Sequence, residues 1–326
     1  MMQQTPKISV APMMDYTDRH CRYLHRLISK HALLYTEMVT ARALIHGDNE
    51  RLLNFDASEH PVALQLGGAV PEELAAAAEL GANRGYDEIN LNVGCPSDRV
   101  QSGRFGACLM AEPALVKDCV IAMREQVSIP VTVKTRIGID DQDDYGFLVR
   151  FTEHILAAGV ETLIVHARKA WLTGLSPKQN RTVPPLDYAR VIRLKQDFPA
   201  LNVVINGGIE NIEHIHSLLK EVDGVMLGRK AYHDPWLLAR LEQDLYAVRP
   251  PGREQIIRDY IEYAVVELEQ GTSVSLLMRP ALGLYASQPG ARHWRRALGE
   301  LAARKPTPQQ LRQTMQGLLS RRATAA

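Results

Sequence analysis

A chain of 326 residues can bury a large core, either as one barrel-sized domain or as a barrel with a small appendage. It has no run of about 18 apolar residues, which excludes a membrane-spanning helix. Its four cysteines (21, 95, 108 and 119) contain no Cys-x-x-Cys pair, and the opening Met-Met-Gln-Gln-Thr-Pro-Lys lacks the apolar stretch of a signal peptide, so a reduced, cytoplasmic protein is expected. Net charge is +1, but residues 270–326 carry nine Lys or Arg against Glu300 alone, a balance of +8 that leaves −7 for the first 269 residues. A basic segment joined to an acidic body points to a polyanionic partner, although an ordinary solvated helical face has the same composition.

In chain order, short β-branched apolar runs alternate with helical patterns. The runs are Ile8–Met13, Leu33–Val39, Val62–Gly68, Glu88–Asn92, Val131–Ile137, Thr162–Arg168, Asn202–Gly208 and Gly224–Arg229. Between them the pattern predicts helices over 18–30 capped by Thr17, 71–83 opened by Pro71-Glu72-Glu73, 112–126 opened by Glu112, 145–158, 186–197 and 212–221 capped by Asn211, with a further helix over 234–247. Eight alternations predict a parallel (β/α)8 TIM barrel; an open doubly wound sheet would need fewer strands and other glycines. Beyond Pro250-Pro251-Gly252 the pattern is helical only, over 253–270, 273–286, 290–303 and 308–322, with Thr307-Pro308 as a cap and first turn. The expected organisation is a catalytic barrel over 1–248 and an all-α helical bundle over 249–326, which coincides with the basic segment.

In a barrel, function sits at the carboxyl ends of the strands, and the polar residues fall there. Residues 88–96, Glu-Ile-Asn-Leu-Asn-Val-Gly-Cys-Pro, carry a strand straight into a thiol. Gly94 permits a turn and Pro96 biases Cys95 towards extended backbone. An ordinary thiol keeps its proton at neutral pH and can deliver it as a general acid, while a lone cysteine is equally read as a buried structural residue. Asn92 stands on the same strand; strand three holds Gln65, and Met13-Met14, Lys134-Thr135-Arg136, His166-Ala167-Arg168, Asn206-Gly207-Gly208 and Gly228-Arg229 end the others. Each alone has a structural explanation, but together they mark one active face. Gly207-Gly208 and Gly228-Arg229 follow strands seven and eight, where barrels grip phosphate, and Lys134 and His166 point into the same mouth. The histidines have no carboxylate partners at metal-ligand spacing and Asp140–Asp144 reads as a solvated loop, so no metal is expected. Flavin mononucleotide, with one phosphate and a polar ring, fits better.

The segments Ala11-Pro12-Met13-Met14-Asp15-Tyr16-Thr17-Asp18, Gln65-Leu66-Gly67-Gly68, Asn90–Pro96, Lys134–Gly138, Val165–Arg168, Asn206–Ile209 and Leu227–Arg229, in this order, resemble the flavin-dependent tRNA-dihydrouridine synthases, most closely the bacterial subfamily A that acts on D-loop uridines 20 and 20a. The resemblance implies that reduced FMN passes hydride from N5 to C6 of uracil, that Cys95 protonates C5, and that NADPH re-reduces the flavin. It implies an FMN site of Pro12, Met13, Met14, Gln65, Lys134, His166, Asn206, Gly207, Gly208, Gly228 and Arg229, with Asn92 and Arg136 on the uracil and Lys178 and Arg181 on tRNA.

A uridine in folded tRNA reaches a flavin only when extruded, and a basic helical domain can offset that cost through phosphate contacts. Arg279, Arg292, Arg295 and Arg296 are the candidates, near His293 and Trp294; Trp294 either stacks on a base or is core. Segment 97–108, with Arg99, Gly103, Arg104 and Gly106, reads as a lid over Cys95. A monomer is expected. A flavin barrel acting on a small pyrimidine, like the dihydroorotate dehydrogenases, a Schiff-base aldolase using Lys134, and a non-catalytic RNA-binding barrel are the alternatives.

Overall fold

The computed structural model describes residues 6–323; residues 1–5, with most of the amino-terminal stretch considered above, and 324–326 lie outside the described residues, as do the side chains of Arg99, Arg322 and Ala323. Eight parallel strands, β1 (Ile8–Val10), β2 (Leu33–Thr40), β3 (Val62–Gly67), β4 (Glu88–Val93), β5 (Val131–Arg136), β6 (Thr162–His166), β7 (Asn202–Asn206) and β8 (Gly224–Leu227), close in chain order. β8 returns to β1 with Ile8 opposite Val225 and Val10 opposite Leu227. This is the expected (β/α)8 barrel. Its strands are short and buried on both sides, which is why they read as apolar runs.

The described residues form two compact units, one of 6–14, 33–55 and 60–228, the other of 15–32, 56–59 and 229–323. These units do not follow the linear division at 248/249. The second gathers helix Arg19–Ile28 with helices Trp236–Tyr246 and Arg253–Glu269 through buried polar side chains. Arg19 forms a two-pronged ion pair with Glu267, Arg22 Nε donates to Glu59 at 2.6 Å, and Glu242 accepts from the Ser29 hydroxyl and from the His31 backbone N–H at 2.9 Å.

Helix boundaries shift where local chemistry overrides periodicity. Asp18, not Thr17, caps the first helix, its carboxylate accepting from Cys21 N at 2.8 Å. The expected helix 273–286 breaks into Val274–Met278 and a 3-10 turn Pro280–Gly283, because Pro280 has no N–H to continue the ladder. Helices Ala41–His46 and Asn49–Leu52 were not expected between β2 and β3; Thr40 and Asp48 cap them. Helix Pro71–Arg84 packs its Gly81 where an added Cβ would lie 2.6 Å from Leu64 Cδ2 and 2.9 Å from Ile89 Cδ1. The apolar residues of β4 therefore face outward under helices, and its polar residues face the barrel interior.

Trp294 is core, not a stacking platform. It is 1% exposed, its indole N–H donates to Ala281 O at 2.9 Å, and it meets Tyr285 edge-on at 4.8 Å. Trp294→Ala should cost about 3–5 kcal/mol through the cavity it leaves. Trp294→Phe should cost less, losing mainly a hydrogen bond of ~1 kcal/mol. Thermal unfolding measures both, and an unchanged melting curve for Trp294→Ala would contradict this packing.

Candidate active site

The inner face of β4 carries Glu88, Asn90 and Asn92, and barrel closure deprives all three of bulk water. Buried polar groups need partners, and the neighbouring strands supply them in register. Gln65 sits opposite Asn90 and donates Nε2–H to its Oδ1 at 2.7 Å; Asn90 sits opposite Thr132 and donates Nδ2–H to its hydroxyl at 2.8 Å. Thr132 and Tyr35 both donate to Glu88 Oε1 at 2.6 Å. Burial pushes the Glu88 carboxyl up to about 7, with its neighbour Asp87 acting in the same sense.

Asn92 links this ladder to the thiol. Its Nδ2–H donates to Gln65 Oε1 at 2.8 Å, and its Oδ1 accepts from the backbone N–H of Gly94 at 3.1 Å and of Cys95 at 3.0 Å. That closes a side-chain turn which fixes the backbone of Cys95 just past the end of β4. The thiol is half-buried and reaches Ser97 Oγ at 3.6 Å. Cys95 O in turn accepts from Ala107 N at 2.9 Å, an approach that needs Gly106: its φ is +78°, and a Cβ there would lie 2.5 Å from Cys95 O. The segment expected as a lid is helix Asp98–Ser102 followed by the 3-10 stretch Gly106–Ala111. Gln101 ties it to Pro96 O at 2.9 Å and to Leu172 O at 2.6 Å.

Arg136 is 3% exposed and works first as a clamp. It donates to Gly94 O (2.8 Å), Lys169 O (3.0 Å) and Asn180 O (3.1 Å), joining the cysteine turn to the loop after β6. Burial lowers its pKa to about 10, so it stays charged at neutral pH. Three of a guanidinium's five N–H donors are used, which leaves two for a ligand. Fully buried Asn180 shapes that loop by accepting from Trp171 N and donating to Trp171 O, so that Lys178 and Arg181 stand exposed beside it.

Across the mouth, Lys134 donates to Asn206 Oδ1 at 3.3 Å, and Asn206 is held by donating to Met226 O at 2.7 Å. Burial, then the charge of Arg136, lowers Lys134 to about 7. Burial and the charges of Arg136 and Lys134 push His166 well below its usual range, so the ring is neutral. Gly207, at φ +117°, lies where a Cβ would be 2.5 Å from the His166 ring. An added Cβ at Gly208 would strike Leu186, whereas one at Gly228 would meet open space. Met13 packs against the interior cluster that includes Ala11, Tyr35 and Met226; Pro12 is half-buried and Met14 exposed. Gly228 follows β8, and Arg229 opens the five-residue helix Arg229–His233 of the second unit.

Among the described residues, Lys134 forms no ion pair with a carboxylate, and the charges of Arg136, Arg168 and Arg181 act unfavourably on it or on His166. Cationic side chains gathered at one barrel mouth fit an anionic ligand such as a flavin phosphate or ring. Among the described residues no three His, Cys, Asp or Glu come together to hold a metal ion, and no helix is long and apolar enough to cross a membrane.

In the second unit, Arg292, Arg295 and Arg296 are exposed on one face of helix Ala291–Ala303, at positions i, i+3 and i+4. Arg296 lies 3.7 Å from Glu300. Arg279 is half-buried and donates to Asp15 O at 2.7 Å, and Arg312 is taken up by Glu262 at 2.7 Å.

A family profile described as dihydrouridine synthase (Dus) matches residues 9–320. The chain belongs to the dihydrouridine synthase family. Similar proteins named tRNA-dihydrouridine(20/20a) synthase include one from Vibrio vulnificus, 56% identical over 304 residues (92% of this chain, 93% of the relative). Another is from Shewanella oneidensis, 56% identical over 296 residues (90% and 88%), and a third from Shigella flexneri, 56% identical over 299 residues (91% and 88%). As a dihydrouridine synthase, the protein is a flavin-dependent oxidoreductase that converts uridine to dihydrouridine. The aldolase, small-pyrimidine and non-catalytic alternatives fall away. Glu88, Asn90, Thr132 and Asn180 support this site and were given no role in it from sequence, and Gly106 was read only as part of the lid; the polar side of the β4 alternation was the available signal for the first two.

An anion docked against Lys134 restores its proton. Binding of an anionic flavin to the flavin-free protein should therefore take up protons near pH 7 and weaken as pH rises, because burial lowers Lys134 to about 7. Calorimetry in buffers of different ionisation heat measures the uptake. Lys134→Met should reduce it.

Proposed function

We propose that this dihydrouridine synthase reduces the C5=C6 bond of uridines 20 and 20a in the tRNA D-loop, with FMN as its bound flavin and NADPH as reductant. The observation that carries the reading is the placement of Cys95, whose half-buried thiol is held past the end of β4 by Asn92 and Arg136, in the same barrel mouth as the cationic cluster. Its relatives' shared name supplies the substrate and positions.

When bound, a flavin would supply hydride chemistry at uracil C6. Lys134, neutral His166, Asn206, Gly207 and Gly208 would hold it with Gln65, Gly228, Arg229 and Pro12–Met14, using an excess of donors and positive charge where the ring and phosphate carry acceptors. Cys95 would deliver its proton to uracil C5, which balances the addition as one hydride and one proton. The two remaining N–H donors of Arg136 and the second Nδ2–H of Asn92 are suited to the uracil carbonyls. A neutral His166 serves as donor or acceptor without adding charge to a site already rich in cations.

The target uridine must leave its stack, at a few kcal/mol. Exposed Lys178 and Arg181 in the loop after β6, and Arg292, Arg295 and Arg296 with Arg279 in the helical segment from 249 onward, would offset this through backbone phosphates. Of these, Arg279 has part of its guanidinium committed to Asp15 O and is the weakest contributor. Cys21, Cys95, Cys108 and Cys119 are joined by no disulfide, which fits a reducing cytoplasm.

Cys95→Ala should lower dihydrouridine formation about 10²- to 10⁴-fold while leaving reduction of the flavin by NADPH near normal. Mass spectrometry of tRNA treated with the purified enzyme reads the product and its position; full activity in Cys95→Ala, or product at other positions only, would overturn the reading. Replacing Arg292, Arg295 and Arg296 together by Gln should flatten the salt dependence of tRNA binding, by a slope of about 0.7–0.9 for each phosphate that is no longer neutralised. An unchanged slope would remove that helix from the interface.

A further inference from the structure

Glu88 is a buried acid at the opposite end of the barrel from Cys95, and the proposed chemistry leaves it without a role. Beside it lies a cavity of about 470 Å³ at the amino-terminal ends of the strands, bordered by Leu33, Pro61, Asp87, Arg124, Thr132 and Glu161 among others. The Cα atoms of Glu88 and Asn92 are separated by roughly 13 Å of strand at ~3.3 Å per residue. Yet an unbroken set of hydrogen bonds joins them, and every donor points the same way. Gly94 and Cys95 N–H donate to Asn92, Asn92 to Gln65, Gln65 to Asn90, Asn90 to Thr132, and Thr132 to Glu88, at 2.6–3.1 Å throughout.

Each amide in this chain has one oxygen and one nitrogen end. Turning one around sets donor against donor unless all its neighbours turn too, so the chain has one favourable sense, strengthened by mutual polarisation. Both ends hold that sense: the backbone N–H groups of Gly94 and Cys95 can only donate, and the Glu88 oxygen accepts from Thr132 and Tyr35 together. At the other end, the sense decides that Asn92 shows its oxygen to the Gly94-Cys95 turn and its nitrogen to Gln65. With the reverse sense, the amide nitrogen would face two backbone N–H groups and the turn would lose its closure.

We infer that Glu88 is a positioning residue for the proton-donating thiol: through Thr132, Asn90, Gln65 and Asn92 its carboxyl anchors the acceptor end of a hydrogen-bond relay that shapes the Cys95 turn. The inference rests on the proposed role of Cys95 and extends the working parts of the site to the far end of the barrel. It explains why β4 places Glu, Asn and Asn in succession on its inner face. It also distinguishes the carboxyl's acceptor capacity, which the relay needs, from its charge, which it does not.

The test uses the full-length, flavin-loaded enzyme. Glu88→Met removes the acceptor, Thr132→Val breaks the next link with nearly unchanged shape, and Glu88→Gln keeps an acceptor oxygen. Glu88→Met and Thr132→Val should each slow uridine reduction by the pre-reduced enzyme about 10- to 10²-fold, the effect of a displaced reacting group. Reduction of the flavin by NADPH should not change. Glu88→Gln should retain most of the activity, and the Glu88→Met, Thr132→Val double variant should be no slower than the slower single one. Independently of turnover, alkylation of Cys95 by iodoacetamide, read by peptide mass spectrometry, should speed up in both single variants while Cys108 reacts as before. Wild-type uridine reduction and unchanged Cys95 alkylation in Thr132→Val would overturn the inference, even if Glu88→Met fails to fold. Glu88→Gln as impaired as Glu88→Met would also overturn it. If Cys95→Ala is fully active, the role of the thiol falls, and the alkylation rates still decide whether the relay holds the turn.

Discussion

An amide side chain sealed inside a barrel has no water to turn to, and on the inner face of β4 there are two, with a carboxyl below them. Their burial is tolerable only because β3 and β5 present complementary groups in register: Gln65 across from Asn90, and Thr132 on its other side. From this single constraint follows the orientation of Asn92, and from Asn92 the turn that carries Cys95. Arg136 completes the turn from the next strand and extends the same scaffold to Lys169 and Asn180, so the thiol and the loop bearing Lys178 and Arg181 share one support. The reactive group sits on a loop, but the loop's geometry is dictated by strands.

The two barrel ends treat charge differently. At the amino-terminal end acids find partners: Lys195 meets Asp223 at 2.9 Å, His60 Nδ1 lies 2.7 Å from Asp87, and Glu88 accepts from two hydroxyls. At the carboxyl-terminal mouth, Lys134, Arg136, Arg168 and Arg181 surround a neutral His166, and burial with mutual repulsion lowers Lys134 towards neutrality. Matched pairs contribute to holding the fold, while a concentration of positive charge at the mouth suits an anionic ligand. That division agrees with the general placement of barrel chemistry at the carboxyl ends of strands.

Much of this was legible beforehand. All eight strands appear close to where β-branched runs stand, and Asn211 caps its helix as its side chain predicts, accepting from His214 N. Short helices between β2 and β3 escaped notice because four to six residues carry too little periodicity. Pro280 interrupted a helix whose apolar spacing ran on regardless. For Arg136 the family resemblance implied a uracil contact, but neither resemblance nor residue type reveals that three of its donors are spent on backbone carbonyls. Nor does composition separate Arg312, paired with Glu262, from Arg292 and Arg295, which stand exposed.

By itself the sequence determined the order of elements, the parallel barrel, the family and the chemical character of each strand end, because periodicity, turn residues and side-chain type are local properties written along the chain. Only the tertiary structure decided which polar groups share hydrogen bonds, and therefore which are available. Gln65, Asn90, Asn92, Thr132 and Glu88 lie on three strands and are dispersed over 68 positions of sequence. They become one connected set when the sheet closes in a particular register. Register depends on the packing of the whole barrel and is invisible from any one of its strands.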